Sequence, residues 1–240
     1  MKLIRPKVRC FFPKEEFVVQ KLANITGICT NKCTASMELD EMRKYISARV
    51  KARHLSILEH VNVTVDITTD RGVSHELVRH RLASYTQKST RYCAETMEDI
   101  TFIIPPWLES ISDYPITDCT INVDNKPKEL TKETECWINA LWDCALAYMT
   151  FRDKYKWAPE QARSLLPNAL ATEIVVTANL REWMHIIDLR GIGTTGRPHP
   201  QMQQVALAIG VMFYEWCPWL FKNVTPESMQ DLADMERIDV

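Results

Sequence analysis

The chain has 240 residues, with 29 Lys and Arg against 31 Asp and Glu, which gives a formal net charge of −2 at pH 7. A protein whose whole surface follows a nucleic-acid backbone needs a basic excess, so the charge balance argues against that class. No run of residues approaches the roughly 18 apolar positions of a membrane span, and the first residues lack the apolar centre of a signal peptide. We therefore expect a cytoplasmic protein that binds neither nucleic acid nor a membrane.

Loop signals do not divide the chain, and we expect one domain over residues 1–240 because this length can bury a single large core. The signals are richest around Ser112–Lys128 and Gly191–Pro200, and patterned segments flank both stretches. The C-terminal tail, residues 222–240, is acidic and is expected to be peripheral.

The cysteines give no sign of a disulfide framework. Eight of them lie at positions 10, 29, 33, 93, 119, 136, 144 and 217, without a Cys-x-x-Cys pair. We expect reduced and mostly buried thiols. Cys29 and Cys33 lie close in sequence but have no second pair of ligands, so we predict no metal site.

Hydrophobic periodicity and capping residues predict a mixture of strands and helices along the first part of the chain. In chain order these elements are an edge strand within Lys2–Phe12, a helix at Phe17–Ile25, a surface helix at Leu39–Lys51, a half-buried strand at Val61–Ile67 and a short helix at Ser74–Arg81 capped by Ser74.

The second part of the chain continues the mixture. Its predicted elements are a strand at Ile100–Ile104, a long helix at Leu130–Tyr155, a short helix at Pro159–Leu166, a strand at Glu173–Thr177, a helix at Asn179–Arg190 capped by Asn179, a flexible loop at Gly191–Pro200 and an apolar helix at Gln201–Trp216. This order predicts an α+β fold with a mainly antiparallel central sheet flanked by helices.

A basic stretch, Arg79–Arg91, holds three arginines, a histidine, two serines and a glutamine within thirteen positions. Guanidinium groups at this density repel one another unless an anion lies between them, so the stretch is expected to hold something acidic. That partner is either a ligand or the carboxylates of the chain itself, with Glu59 and Glu76 the nearest candidates.

Further polar residues occupy distant patterned segments, including Arg163, Arg190, His54 and His185. The sequence has no Gly-x-Gly-x-x-Gly and no Walker loop, so a phosphate would be held by side chains. His75 and His80 flank Glu76 in a pattern similar to a zinc-protease helix. Five residues apart, however, the two histidines diverge by about 140° on an ideal helix, which disfavours one shared zinc.

These motifs together resemble the flavin-dependent thymidylate synthases. The family signature is Arg-His-Arg, seven or eight further residues and Ser, and this chain has Arg79-His80-Arg81, seven residues and Ser89. Other segments similar to family landmarks follow in the same order between Lys51 and Phe221: His54-x-Ser56-x-x-Glu59-His60, Ala162–Pro167, Asn179-Leu180-Arg181, His185–Arg190, His199-x-Gln201 and Cys217-Pro218-Trp219.

The resemblance implies reductive methylation of dUMP to dTMP, with methylenetetrahydrofolate as carbon donor, NADPH as reductant and FAD as hydride carrier. It implies FAD binding by Ser56, Arg79, His80, Arg81, Gln87, Asn179, Leu180, Arg181 and His185. It implies dUMP binding by Glu76, Leu77, Val78, Arg79, Gln87, Lys88, Ser89, Thr90, Arg91, Arg163 and Arg190. His54 and His199 are candidates for further flavin or folate contacts.

Arg190 is the catalytic residue that the resemblance implies, because a positioned arginine stabilises negative charge developing in the uracil ring. The resemblance also implies a homotetramer whose active sites are shared between subunits. Two features depart from the family pattern. Glu76 stands where many relatives have Gln, and a longer Gly-rich loop follows Arg190.

Two other functional classes remain open at this point. A non-catalytic nucleotide-binding protein would keep the arginine pocket without flavin chemistry. A metal-dependent hydrolase would use His75, Glu76 and His80, which the helical spacing disfavours.

Overall fold

A computed structural model describes residues 1–108, 114–117, 120–123, 126–127, 130–225 and 236–237. The strands are β1 Lys2–Ile4, β2 Lys7–Phe11, β3 Asn62–Asp70, β4 Ala83–Gln87, β5 Thr101–Ile103, β6 Tyr114–Thr117, β7 Thr120–Val123, β8 Lys126–Pro127, β9 Ala171–Asn179 and β10 Glu236–Arg237. The α-helices are α1 Glu15–Thr30, α2 Leu39–Lys51, α3 Arg71–Leu77, α4 Lys132–Asp153, α5 Pro159–Ala162, α6 Leu180–Ile186 and α7 Pro200–Trp216. Two 3₁₀ turns at Leu55–His60 and Arg163–Leu165 and a π-helical turn at Ile187–Ile192 complete the described elements.

A five-stranded sheet in the order β10-β2-β3-β9-β4 forms the centre of the fold. Its strands pair antiparallel except β10 with β2. β3 and β9 pair along their whole length, from Asn62 opposite Asn179 to Asp70 opposite Ala171. Both strands alternate buried and more exposed side chains, so one face is available to the core. The predicted α+β class with a mainly antiparallel sheet is confirmed.

A second sheet, in the order β5-β1-β6-β7-β8, was not predicted. The expected single edge strand within Lys2–Phe12 is wrong, because the chain leaves one sheet after Ile4 and enters the other at Lys7. Pro6 lies at the crossing and cannot donate a ladder hydrogen bond. The expected loop around Ser112–Lys128 contains the backbone of β6, β7 and β8, and its other residues lie outside the described ones.

Two hydrophobic clusters support these sheets. The larger one packs α1, α6 and α7 against the central sheet, and the smaller one packs α4 against β1 and β5. Trp183 joins helix to sheet, since its buried indole N–H donates to the Val63 carbonyl at 3.0 Å. Gly210 on α7 allows a close approach, because a Cβ there would meet Ile187 and Val224 at 3.1 Å.

Several predicted bounds differ from the structure. The predicted Leu39–Lys51 helix is confirmed residue for residue as α2, while α1 extends beyond Phe17–Ile25 at both ends. The helix predicted to run to Arg190 ends as an α-helix at Ile186 and continues as the π-helical turn. Of the tail 222–240, residues 222–225 and β10 are described, and β10 pairs with β2 at one side of the central sheet.

The cysteines are less buried than expected. Cys10 and Cys217 are buried, and burial raises the pKa of both thiols. Cys144 is half-buried, whereas the remaining described cysteines are exposed: Cys29, Cys33, Cys93 and Cys136. The prediction of mostly buried thiols is wrong because these four lie on outward-facing or loop positions; Cys119 lies outside the described residues.

Among the helices that the structure describes, none combines the length and apolar character needed to cross a bilayer.

Candidate active site

The basic motif at residues 79–81 is delivered by a capped helix. The Asp70 carboxylate accepts a hydrogen bond from the Val73 N–H at 2.8 Å, so α3 begins immediately after β3. The predicted cap, Ser74, is wrong, because its hydroxyl donates to the Arg71 carbonyl at 3.0 Å inside the first turn. α3 therefore ends before the motif, which lies in the turn that leads into β4.

Tyr85 fixes the geometry of that turn. Its hydroxyl is shared between the carbonyl oxygens of Leu77 and His80, at 2.7 and 2.6 Å. Burial raises the pKa of Tyr85 to about 12, and the negative charge of Glu182 acts in the same direction. The phenol therefore stays protonated at neutral pH and remains a donor to both carbonyls.

Arg190 lies in a cluster of paired polar side chains. Its Nη1 donates to Glu76 Oε2 at 2.7 Å, and its Nε donates to His80 Nε2 at 3.2 Å. The other Glu76 oxygen lies 3.8 Å from His199 Nδ1. Glu76 is thus an acid paired with the cationic Arg190, which explains how a carboxylate is accommodated among arginines. The π-helical turn at Ile187–Ile192 carries Arg190, and such turns are frequent at functional sites.

His80 is neutral in this arrangement. Burial lowers the pKa of His80 to about 4, and the positive charges of Arg190 and His185 lower it further in the same direction. Glu182 Oε1 lies 3.5 Å from His80 Nδ1, with side-chain exposures of 8% and 4%. The Glu182 carboxylate favours the protonated imidazole, but burial and the two positive neighbours have a larger effect, and the pKa of His80 is lowered.

The end of β4 and the segment after it lie against α3 and β9. The Gln87 amide donates to Ser74 Oγ at 3.0 Å and to Thr172 Oγ1 at 3.1 Å. Arg163 Nη1 lies 3.4 Å from Thr90 Oγ1, which joins the 3₁₀ turn after α5 to this segment. Predicted nucleotide contacts from two distant parts of the sequence are therefore adjacent.

The other predicted side chains of this segment have local partners. Lys88 forms an ion pair with Glu95 at 2.8 Å. Ser89 Oγ accepts the Arg91 backbone N–H at 3.3 Å, and the Arg91 guanidinium lies 5.1 Å from the centre of the Tyr92 ring. The side chain of Lys88 is therefore engaged by an acid, whereas the Arg91 guanidinium lies over an aromatic face.

Arg71 is a polar residue of this region that the sequence analysis missed. Its Nη1 is buried and has no hydrogen-bond partner among the described residues. Burial lowers the pKa of Arg71, and the positive charge of Arg163 lowers it further. Two neighbouring guanidinium groups, one of which has a buried nitrogen without a described partner, suit an anion.

α6 positions a second set of predicted residues. The Asn179 side chain accepts the Glu182 backbone N–H at 2.9 Å, so the predicted Asn179 cap is confirmed. Arg181 Nη1 pairs with Glu59 Oε1 at 2.5 Å, and both side chains are about half exposed. One turn further along, the His185 ring lies edge-on to the His80 ring with centres 5.6 Å apart.

A cavity of about 1050 Å³ opens beside α6. Asn179, Arg181, Glu182 and His185 line it. Glu182 and His185 also contact His80, which in turn contacts Arg190. Its lining also includes cationic and aromatic residues that the sequence analysis missed: Lys51, Arg53, Trp219 and Lys222. Their signal was weak, since each lies at the end of an element or in a loop, where a charged side chain is ordinary.

Arg79 and Arg81 differ from the other arginines of the site. Both are exposed, and within the part of the chain that the structure describes neither guanidinium group has a hydrogen bond or an ion pair. Glu76, predicted as a possible internal partner, is engaged by Arg190, and Glu59 is engaged by Arg181. The two arginines are free to meet a ligand.

Other predicted residues are less directly placed. Leu77 and Leu180 are fully buried, so a ligand could reach only their main chains, whereas Val78 is 39% exposed. Ser56 is exposed in the 3₁₀ turn Leu55–His60, which also holds the cavity-lining Glu59, and His54 is exposed immediately before that turn. Their segment adjoins the cavity, but neither side chain lines it.

Two further residues could have been found from the sequence. Tyr85 lies in Ala83–Gln87, where half-buried and exposed positions alternate as in an edge strand. Glu182 is the third residue after an asparagine cap, a position that faces back toward the helix start.

For a metal centre, the described residues contain no group of three or more His, Cys, Asp or Glu placed to hold an ion.

Comparisons with known proteins agree with these motifs. Residues 14–219 match the sequence model of the Thy1 family, described as thymidylate synthase complementing protein. A flavin-dependent thymidylate synthase of Geobacter sulfurreducens is 33% identical over 68% of this chain and 66% of its own length. One from Mycobacteroides abscessus is 36% identical over 78% of this chain and 71% of its own.

A solved structure shares the fold. It is a UMP/dUMP methylase, PolB, from Streptomyces cacaoi bound with 5-Br dUMP, with a TM-score of 0.68 over 95% of this chain and 97% of that one. The two sequences are 19% identical, so this likeness concerns the fold.

The sequence matches cover only part of the relatives. The aligned part spans 66% of the Geobacter protein and 56% of a flavin-dependent thymidylate synthase from Mycobacterium tuberculosis, which is 35% identical over 61% of this chain. The family match itself extends over most of the chain, from residue 14 to residue 219. On that match, this chain belongs to the Thy1 family of thymidylate synthase complementing proteins.

Proposed function

We propose that this chain is a flavin-dependent thymidylate synthase, which methylates dUMP reductively to dTMP. Methylenetetrahydrofolate is the carbon donor, and FAD reduced by NADPH is the hydride carrier. Membership of the Thy1 family and the names of the relatives support this activity. The observation that carries it is the adjacency of three features: the Arg79–Arg81 turn, whose two guanidinium groups have no partner among the described residues, the α6 cavity and the Arg190 cluster.

The residues present fit an FAD molecule. The cavity of about 1050 Å³ is of the size that a large cofactor requires, and Arg181 and His185 line it. Arg79 and Arg81 provide exposed cations without internal partners for a pyrophosphate. Bound FAD supplies hydride transfer, which no amino-acid side chain can perform.

The nucleotide is assigned to the face of the site beyond β4. Arg163 and Thr90 form one polar pair there, and Gln87 is held against α3 by Ser74. An arginine binds a phosphate through parallel N–H donors, and a hydroxyl adds a further donor. The remaining residues proposed for dUMP are Glu76, Leu77, Val78, Arg79, Lys88, Ser89, Arg91 and Arg190.

Arg190 is the proposed catalytic residue. Carbon 5 of uracil becomes nucleophilic when negative charge moves into the ring, and a fixed guanidinium beside that ring stabilises the charge. Glu76 and His80 hold two of the Arg190 nitrogens, so the group is oriented before the substrate arrives. Its side chain keeps 24% of its surface accessible, which leaves an edge for the pyrimidine.

The proposal includes a cytoplasmic homotetramer whose subunits share active sites. Support comes from apolar side chains beside the basic motif, where Leu82 is 71% exposed and Val78 is 39% exposed. Exposed apolar groups next to a polar site are typical of subunit interfaces. Sedimentation of the purified protein would measure its mass and so test the assembly.

An omission assay tests the activity. Purified protein is incubated with FAD, dUMP, NADPH and methylenetetrahydrofolate, and the nucleotide product is identified by mass spectrometry. We expect a product heavier than dUMP by one methylene, and none when any component is omitted. Binding of dUMP by calorimetry without any conversion by flavin-loaded protein would instead identify a non-catalytic nucleotide-binding protein.

A further inference from the structure

His80 and Glu182 form a buried pair, and His80 contacts Arg190 at a different nitrogen from the one that Glu76 binds. His80 is 5% exposed and Glu182 is 6% exposed. The family resemblance implies no role for Glu182, and it implies only a cofactor contact for His80. Both ring nitrogens of His80 face groups of the protein itself, so the imidazole has a function within the site that a flavin contact does not explain.

The protonation of the ring follows from its neighbours. Arginine Nε always carries a hydrogen, so His80 Nε2, 3.2 Å away, must be the acceptor and carries none. A neutral imidazole then has its proton on Nδ1, which faces Glu182 Oε1 at 3.5 Å. Glu182 therefore selects the tautomer whose other nitrogen accepts from Arg190.

Contacts from β4 and α6 fix the position of His80. Tyr85 on β4 holds the His80 carbonyl at 2.6 Å, and the His185 ring on α6 lies edge-on at 5.6 Å. Glu182 is itself set by the Asn179 cap, because its backbone N–H donates to that side chain at 2.9 Å. The path from the cap of α6 to Arg190 is thus a continuous series of contacts.

The orientation of Arg190 depends on this series. With Nε bound to His80 and Nη1 bound to Glu76, the plane of the guanidinium is defined by two contacts on different edges. A guanidinium held at one point rotates about its side-chain torsions, whereas one held at two points presents a fixed donor edge. Displacement of a catalytic group by about 1 Å can cost on the order of 100-fold in rate.

We propose that Glu182 and His80 are positioning residues for Arg190, with Glu182 fixing the imidazole tautomer and His80 fixing the guanidinium plane. This inference rests on the proposed function, because it assigns Arg190 the task of stabilising charge on the pyrimidine. The pair itself does not touch the substrate.

The first test replaces Glu182 with Gln, which keeps the size of the side chain and removes its charge. Glu133→Gln is the matched control, since Glu133 is exposed in the first turn of α4, outside the site. We expect kcat of Glu182→Gln to fall about 10- to 100-fold. The dissociation constant for dUMP, measured by calorimetry, should change by less than about threefold, and kcat is expressed per bound FAD because Glu182 lines the α6 cavity.

Two results would overturn the inference. One is a kcat for Glu182→Gln equal to that of the control. The other is a fall in kcat that only follows loss of FAD and of dUMP affinity, which would indicate a structural role. Wild-type protein that is loaded with FAD and forms no dTMP contradicts the proposed function before any variant is compared.

A second test compares two replacements of His80. The Gln amide oxygen can accept from Arg190 Nε, whereas Leu offers no acceptor. We expect kcat of His80→Gln to exceed that of His80→Leu by about tenfold, with kcat measured per bound FAD. Equal values would contradict the positioning role. If His80→Leu does not fold, comparison of His80→Gln with wild type at equal flavin loading decides, since loss of all activity in a folded Gln variant contradicts the role.

Discussion

The arginines of the Arg190 cluster and of the Arg79–Arg81 turn differ in whether their guanidinium groups have partners within the chain. Arg190 is bound by Glu76 and His80 within its own chain. Arg79 and Arg81 are exposed and have no such partner in the described part of the protein. The first region is arranged before a ligand arrives, and the second needs a ligand to balance its charge. We therefore expect Arg190 to act in the chemical step and Arg79 and Arg81 to act in ligand binding.

The largest expected effect concerns the prearranged region. Arg190→Ala should lower kcat by about 100- to 1000-fold, because it removes a fixed donor from the developing charge. The FAD content per chain should stay within a factor of about two, since Arg190 does not line the α6 cavity. Steady-state kinetics and the visible spectrum measure the two effects. Equal losses of kcat and of bound flavin would contradict the assignment of Arg190 to the chemical step.

The same region predicts a pH dependence of stability. His80 has a pKa lowered to about 4 in the fold, against 6.5 for the free side chain. The unfolded chain therefore binds more protons between these values, and stability falls as pH drops from about 6.5 to 4. The loss from this residue is on the order of 3 kcal/mol. The charged or titratable groups that face the ring are Glu182, His185 and Arg190, and the Tyr85 hydroxyl donates to the His80 backbone carbonyl.

Urea unfolding between pH 4 and 7 measures that dependence, with His80→Gln as the comparison. The variant should lose less stability than wild type over this range, because glutamine does not titrate. Parallel curves for the two proteins would show that His80 is not held neutral by the fold.

The ligand-dependent region predicts an effect on binding alone. Arg79→Ala and Arg81→Ala should each weaken FAD binding by about 10- to 100-fold, as expected for loss of a charge-assisted hydrogen bond. The melting temperature of the cofactor-free protein should hardly change, because neither side chain has a partner in the described structure. Flavin fluorescence titration and thermal melting separate these outcomes. A large loss of stability would show that the two arginines are internal structural groups.

The smallest effect concerns α3, which carries Glu76 and leads into the Arg79–Arg81 turn. Asp70→Ala removes the acceptor of the Val73 N–H and should lower the free energy of unfolding by about 1 kcal/mol. Asp70→Asn keeps an oxygen acceptor and should recover most of that loss. Denaturant unfolding measures both, and an Asn variant as unstable as the Ala variant would contradict the capping role.

Local signals were sufficient for much of the fold. Periodicity located α2, and the Asn179 side chain identified the start of α6, since both depend on neighbours in sequence. The division of Lys2–Phe12 between two sheets could not be predicted in the same way. β1 pairs with β5, which lies about a hundred residues further along the chain, and no local pattern specifies that partner.

The site was predictable in its residues but not in its contacts. The motif 79–81 stands out in the sequence because clustered arginines are unusual, and the family resemblance points to Arg190. The pairing of Glu76 with Arg190 joins positions 114 residues apart, and nothing local specifies it. The missed cap at Asp70 has a different cause, because Ser74 is an equally good capping residue by type.

The most direct test of the central claim is the visible absorption spectrum of the protein after incubation with FAD and gel filtration. If the Arg79–Arg81 turn and the α6 cavity form a flavin site, the flavin band will elute with wild-type protein. It will be lost from the variant with both Arg79→Ala and Arg81→Ala. A folded wild-type protein that elutes colourless would contradict the claim.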